Sequence, residues 1–178
     1  GEIFVERQYS AFPGFTSGSD AIVDRLRKID KNKYVKAVVL RINSPGGSTG
    51  ASQEIYEEVK KLRQNGKKIV VSMGDVGASG AYYISCAADR IIANPSTITG
   101  SIGVIFNFGN MQELFKKIGV KMEVVKSGKS KDIGAYWRSP DESERKLLQG
   151  LIDNSYEQFV KVIVDGRKMT YDQVKQLA

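Results

Sequence analysis

The sequence contains no histidine and a single cysteine, Cys86, among its 178 residues. One cysteine excludes an intrachain disulfide, and the two scarcities together exclude a zinc site built from imidazole and thiolate ligands. We expect neither a metal nor a cofactor. The missing histidine also removes the usual general base of a catalytic serine, so any such serine must give its proton to another side chain.

Long hydrophobic runs are absent as well, since no stretch approaches the roughly 20 apolar residues that a membrane-spanning helix needs. The chain begins with Gly1-Glu2-Ile3 instead of methionine, and this start lacks the features of a signal peptide. Hydrophobic residues make up 41% and charged residues 26%, a composition typical of one globular domain. We expect a single domain over 1–178, excerpted from a longer chain.

The charge is unevenly distributed and has a net value of +7, from 27 Lys and Arg against 20 Asp and Glu. Part of the excess lies within 16 residues, in Lys116, Lys117, Lys121, Lys126, Lys129 and Lys131. Such a cluster is typical of a solvated basic face, and an anionic membrane surface is the sharper alternative. No nucleic-acid motif or interleaved aromatic pattern accompanies it, so we expect no nucleic-acid partner.

Helical and strand periodicities alternate along the chain. Apolar spacing predicts a helix over 18–30, and the apolar run from 34 to 42 predicts a strand buried on both faces. A second helix ends at Asn65-Gly66, and a strand over 68–73 follows. The later predicted elements are a helix through about 88, a strand over 89–95, a helix over 111–118, a strand over 120–125, a long helix from 141 and a short helix capped by Thr170.

This alternation predicts an α/β fold of repeated βαβ units with a mostly parallel sheet and a helical C-terminal part. Sites in such folds form beyond the carboxyl ends of the strands. Two glycine-rich turns, 43–48 and 74–80, follow predicted strands at that position. We expect both turns to face the same cleft.

The second turn carries one serine, Ser79, between Gly77 and Gly80. A strand-to-helix turn with small neighbours exposes the serine hydroxyl and leaves backbone N–H groups free. The alternative is a tight bend in which the serine only caps the helix. The first turn, Ser44-Pro45-Gly46-Gly47, has two glycines whose N–H groups can point at an oxyanion. It lacks the Gly-Lys-Ser/Thr ending of a phosphate-binding loop.

Lysine is the main candidate for the base, since a neutral amine is basic enough to deprotonate serine when an apolar site removes its charge. The polar segment 126–140 offers Lys126, Lys129 and Lys131. The last of these precedes the apolar run 133–137, a candidate desolvating wall. Ser101, on a glycine-flanked turn, is a candidate for orienting the amine.

Four ordered motifs resemble those of a known family. They are Arg41-Ile42-Asn43-Ser44-Pro45-Gly46-Gly47, Gly74-Asp75-Val76-Gly77-Ala78-Ser79-Gly80-Ala81-Tyr82-Tyr83, Thr99-Gly100-Ser101-Ile102-Gly103-Val104 and Ser127-Gly128-Lys129-Ser130-Lys131-Asp132. The chain resembles the S49-type serine peptidases of the signal peptide peptidase A type, within the Clp protease/crotonase superfamily.

The resemblance implies a Ser/Lys dyad in which Ser79 is the nucleophile and Lys131 the general base, with Lys129 as the second choice. It implies that Ser101 positions the lysine amine. The implied oxyanion hole is formed by backbone N–H groups of Gly46, Gly47 and Gly80. We therefore expect a crotonase/Clp-protease-like fold and a serine peptidase.

The resemblance also implies a setting and partners for the whole protein. It implies a bacterial cell-membrane enzyme with an extracytoplasmic catalytic domain, held by an anchor missing from this sequence. Signal peptides are the implied substrates, and a ring-like homo-oligomer, with an octamer favoured, is the implied assembly. The alternatives are a crotonase-like acyl-CoA enzyme that uses the same glycine oxyanion hole, and a non-catalytic oligomeric scaffold.

Overall fold

A computed structural model describes residues 1–4 and 18–178. These residues form two compact units, one of Gly1–Gly103 with Glu157–Ala178 and one of Val104–Tyr156. That the chain is one peptidase domain over 1–178 stays a prediction. Within the described ranges, no helix combines the length and apolar character needed to cross a lipid bilayer.

The first unit contains most of the regular structure. Its elements are α1 (Ser19–Lys31), β1 (Ala37–Ser44), α2 (Thr49–Gln64), β2 (Lys68–Ala78), α3 (Gly80–Ser85), β3 (Arg90–Ile92), β4 (Ile98–Gly100), the last part of α5 (Glu142–Arg167) and α6 (Tyr171–Leu177). The second unit contains α4 (Gln112–Lys117) and the first part of α5.

The sheet of the first unit is parallel throughout and has β2 at its centre. β1 pairs with one edge of β2 over most of its length. On the other edge, β3 pairs with the start of β2 at 70–72 and β4 pairs with its end at 76–78. The predicted α/β class with a mostly parallel sheet is confirmed, as is the helical C-terminal part.

The core of this unit lies between α2 and β2. The apolar side chains along one face of α2 are buried, and they pack with the inward side chains of β2. The residues of this layer are Ala51, Ile55, Val59, Leu62, Ile69, Val71 and Met73. Helical and strand periodicities therefore meet in one apolar layer, which packs α2 against the first half of β2.

Three sequence-based expectations are corrected. β1 alternates between covered and open positions, and Val39 is 69% exposed, so this strand is not buried on both faces. β2 continues through the glycine-rich segment to Ala78 instead of ending at Met73. The described chain has no strand over 120–125, where Val125 is fully exposed. In the last two cases a non-local partner, present or missing, decided the outcome, because a strand exists only when a neighbour pairs with it.

Candidate active site

Ser79 occupies a strained turn between β2 and α3. Its φ of 52° and ψ of −123° lie outside the regions that L-residues normally adopt. Main-chain hydrogen bonds hold it there, because its N–H donates to the Gly100 carbonyl at 2.8 Å and its carbonyl accepts from the Tyr83 N–H at 2.9 Å. The side chain does not cap α3, and its hydroxyl has no hydrogen-bond partner among the described residues. The hydroxyl is therefore available for chemistry.

The Gly46-Gly47 turn lies directly against this serine turn. Gly46 has a φ of 103°, and a methyl group built on it would stand 2.8 Å from both the Gly80 nitrogen and Ser79 Cβ. Gly47 has a φ of 151°, and a methyl group there would overlap the Ile3 backbone. Only glycine allows so close an approach at either position.

The three glycines differ in whether their N–H groups are free. The Gly46 N–H donates to Ser44 Oγ at 3.1 Å. Within the described part of the chain, the N–H groups of Gly47 and Gly80 have no acceptor. A Cβ built on Gly80 would lie 3.5 Å from the Gly47 nitrogen, so these two backbones are close neighbours. Gly47 and Gly80 thus offer two adjacent donors beside the serine.

Side chains that the sequence analysis did not single out support the serine turn. Thr99 Oγ1 donates to the Gly77 carbonyl at 2.8 Å, and Asn43 Oδ1 accepts the Val76 N–H at 3.0 Å. Ser52, which is buried, lies where a side chain on Gly80 would otherwise stand. Asn43 and Thr99 lie within the motifs 41–47 and 99–104, so their place in these motifs is the sequence signal that indicates them.

Ser101 is placed near Ser79 by the sheet. Ala78 and Gly100 are partners in the ladder between β2 and β4. Ser79 directly follows Ala78, and Ser101 directly follows Gly100. Ser101 also has a positive φ, of 50°, and its side chain is exposed. The two candidate serines therefore leave the same end of the sheet, and each has a positive φ.

The candidate lysines lie in the second unit and differ in their partners. Lys126 Nζ pairs with Asp132 Oδ1 at 2.5 Å, and Lys129 Nζ with Asp141 Oδ2 at 3.4 Å. Lys131 is exposed, and its ammonium has no partner among the described residues. The apolar run 133–137 therefore does not bury Lys131 here. Of the three lysines, Lys131 is the one whose amine is not engaged by a carboxylate.

A dense ion cluster follows Lys131 directly. Arg138 bridges Asp132 and Glu144, whose side chains are 8% and 1% exposed. Hydrogen bonds from Arg138 and then Lys126 hold the pKa of the Asp132 carboxyl well below its usual range. Arg138 likewise lowers the pKa of Glu144. The two carboxylates in turn raise the pKa of Arg138, so the cluster is fully charged at neutral pH.

Asp141, at the start of α5, predicts a specific loss of stability in acid. Hydrogen bonds from Ser143 and the Glu144 N–H lower the pKa of Asp141 to about 2 from its model-compound value of 3.8. A carboxyl with a lowered pKa stabilises the fold above its unfolded pKa and loses that effect as the pH falls through the folded value. We expect the melting temperature to fall between about pH 4 and pH 2 through this group.

Asp141→Asn is the matched control, because asparagine keeps the helix-capping geometry without the titrating group. We expect this variant to have a lower melting temperature at pH 7 and a shallower decline between pH 4 and pH 2. Thermal unfolding followed by circular dichroism from pH 7 to pH 2 measures both curves. Parallel curves for the two proteins would contradict the assignment.

Comparisons with known proteins relate this geometry to characterised families. The family model described as Peptidase family S49 matches residues 61–178, and that described as Clp protease matches 14–99. A provisionally named protease of Synechocystis sp. is 43% identical over 89% of this chain, and a provisionally named signal peptide peptidase of Enterococcus faecium is 41% identical over 86%. Protease 4 of Haemophilus influenzae is 41% identical over 91%.

The chain spans 56%, 45% and 26% of the lengths of these three relatives, in that order. Among solved structures, a ClpP1 variant from Listeria monocytogenes superposes with a TM-score of 0.55, covering 89% of this chain and 70% of that one. Its sequence identity is 14%, so the similarity concerns the fold alone. The predicted Clp-protease-like fold is confirmed.

Proposed function

Because the chain belongs to peptidase family S49, we propose that it is a serine endopeptidase with a Ser/Lys dyad that cleaves extended apolar peptides. The predicted resemblance is thereby confirmed at the level of the family. One observation carries the proposal. The strained turn presents the unpartnered hydroxyl of Ser79 next to a glycine turn, where Gly47 and Gly80 offer N–H groups without acceptors in the described residues.

The proposed reaction proceeds in two acyl-transfer steps. The neutral amine of Lys131 takes the proton from Ser79 Oγ, which attacks the carbonyl carbon of the scissile peptide. The carbonyl oxygen becomes an oxyanion, and the N–H groups of Gly47 and Gly80 stabilise it. The tetrahedral intermediate then collapses, and Lys131 returns the proton to the leaving amine. Water, deprotonated by the same amine, hydrolyses the acyl-enzyme.

The support differs among the remaining predicted site residues. The N–H of Gly46 is engaged by Ser44, so it is not proposed as an oxyanion donor. Gly46 is proposed to contribute by letting the backbone of its turn come close to Ser79 and Gly80. Ser101 is proposed to orient the lysine amine, and its position beside the end of β2 supports this role. Lys131 is preferred over Lys126 and Lys129 because carboxylates engage the amines of those two lysines, whereas the Lys131 amine has no partner among the described residues.

The exposure of Lys131 places a requirement on the working enzyme. A fully hydrated amine is charged at neutral pH, so its water must be removed before it can act as a base. We propose that bound peptide or another subunit covers the loop. Large apolar side chains are exposed on this chain, which is typical of surfaces that become buried on association. They include Val39, Ile92, Ile98, Ile105, Phe106, Ile118 and Val125.

We propose a ring-like homo-oligomer, with an octamer favoured, that acts on remnant signal peptides at the bacterial cell membrane. The catalytic part would be extracytoplasmic and anchored by a segment outside this sequence. One relative carries the name of a signal peptide peptidase, which supports the choice of substrate. The free edge of β4, which pairs only with β2 among the described strands, suits an extended peptide that adds as a further strand.

A serine-directed acylating probe tests the proposed nucleophile. We expect one label per chain, carried by the peptide that contains Ser79, and none in a Ser79→Ala variant. Peptide mapping by mass spectrometry locates the label, and native mass spectrometry of the same sample reports the oligomeric state. A folded oligomer that remains unlabelled would favour the scaffold alternative over the peptidase.

A further inference from the structure

Arg138 links the loop that carries Lys131 to the first turn of α5. Its Nε and Nη2 donate to the two oxygens of Asp132 at 2.9 and 2.7 Å. Its Nη1 and Nη2 donate to the two oxygens of Glu144 at 2.7 and 2.6 Å. One guanidinium therefore holds two carboxylates, each through a pair of hydrogen bonds, which is the strongest form of this contact.

The far end of this link is firmly held. Asp141 Oδ1 accepts the Glu144 N–H at 2.8 Å, and Glu144 Oε2 accepts the Asp141 N–H at 3.0 Å. This reciprocal pair is a capping box at the start of α5. Glu144 is almost fully buried, so its position is set by the helix and does not follow the loop.

The near end of the link is the residue next to Lys131. The Lys131 amine itself has no partner in the described ranges, and its side chain is long and exposed. Its location must therefore come from the main chain, where the Lys131 N–H donates to the Gly128 carbonyl at 3.2 Å. The adjacent Asp132 is the residue whose side chain ties this turn to Arg138. Lys126 Nζ also binds Asp132, so the carboxylate is held from two sides.

We infer that Arg138 is a positioning residue for Lys131, acting through Asp132. The inference rests on the proposed function, in which Lys131 is the base. Lysine cannot replace Arg138, because a single ammonium cannot serve two carboxylates with paired hydrogen bonds. Small displacements of a catalytic group reduce rates strongly, so a loosened Asp132 lowers the rate even when the fold is retained.

The experiment compares Arg138→Lys with Arg145→Lys in the full-length protein. Arg145 is an exposed arginine of the same helix start, without an ion pair among the described residues. We expect Arg138→Lys to lower kcat for an apolar reporter peptide about 10- to 100-fold with KM changed less than about threefold. We expect Arg145→Lys to stay within about twofold of the parent, as a surface substitution normally does.

A second measurement separates positioning from a general structural effect. The same Arg138→Lys change is made in a Lys131→Met background, and residual acylation of Ser79 by an activated ester is measured. If Arg138 acts through Lys131, the change has no further effect in that background. An equal loss in both backgrounds would overturn the inference, as would full activity of Arg138→Lys beside an inactive Lys131→Met.

The failure of the proposed function has a different signature. Full activity of Lys131→Met would show that Lys131 is not the base. Arg138 would then have no base to position, whatever the effect of Arg138→Lys. If Arg138→Lys does not unfold cooperatively, Asp132→Asn replaces it in the same cycle, because it leaves the Arg138–Glu144 contact intact. Loss of kcat that depends on Lys131 supports the inference in that variant too, and loss independent of Lys131 contradicts it.

Discussion

Replacing Ser79 by alanine should lower kcat for peptide cleavage by at least about ten-thousand-fold, because loss of a nucleophile leaves only binding and oxyanion stabilisation. The fold should be unaffected. The Ser79 hydroxyl has no partner among the described residues, and alanine is as strained as serine at a φ of 52°. We expect the melting temperature of Ser79→Ala to match that of the parent. Steady-state cleavage of an apolar peptide and thermal unfolding measure the two effects.

Glycine at the same position provides a matched comparison. Because glycine adopts positive φ without a steric penalty, Ser79→Gly should be equally inactive but more stable, by about 1 kcal/mol. This gain equals the strain energy released at the serine turn minus the entropic cost of ordering glycine, which is more flexible than serine in the unfolded chain. If either variant retained activity, Ser79 could not be the nucleophile. Ser79→Gly less stable than Ser79→Ala would show that the turn is not strained.

Replacing Lys131 by methionine should lower kcat about 100- to 10,000-fold, the range expected when a general base is lost. Methionine preserves the length and most of the apolar contacts of the lysine stem, so a folding defect is not expected. Lys129→Met is the matched control from the same loop. Its ammonium forms an exposed ion pair with Asp141, a contact worth at most about 1 kcal/mol, and we expect activity within about threefold of the parent.

The pair of variants also decides between the two candidate bases. Inactivity of Lys129→Met with an active Lys131→Met would assign the base to Lys129. Acylation of Ser79 in single-turnover experiments should slow together with steady-state cleavage, because the base is needed to form the acyl-enzyme. Slow turnover with fast acylation would instead place the lysine in the second step only.

Local patterns predicted much of the fold. Helix α2 ends where predicted, because Asn65 and Gly66 interrupt its helical periodicity and Gly66 adopts a φ of 88°. Thr170 caps α6 in a capping box with Gln173, as its sequence indicates. These features depend on residues within one or two turns of each other, so the sequence contains all the information they need.

Elements that depend on distant partners were less predictable. The segment 120–125 has a strand-like composition, but the described chain provides no neighbour for it. β2 extends to Ala78 because β4 pairs with the glycine-rich segment, a contact between residues 22 apart in sequence. The role of Arg138 was missed because its two carboxylate partners lie on either side of it and form a cluster only once the loop has folded.

The sequence by itself determined the class of chemistry. Without histidine, the serine turn needed another base, and the ordered motifs around Ser79, Ser101 and Lys131 indicated the family. The tertiary structure decided which groups are free to act. It engaged the Gly46 N–H, left those of Gly47 and Gly80 open, and paired Lys126 and Lys129 while leaving Lys131 without a partner among the described residues. The reason is physical: residue types determine which reactions are available, whereas the hydrogen bonds and ion pairs of the folded chain determine which groups remain free to react.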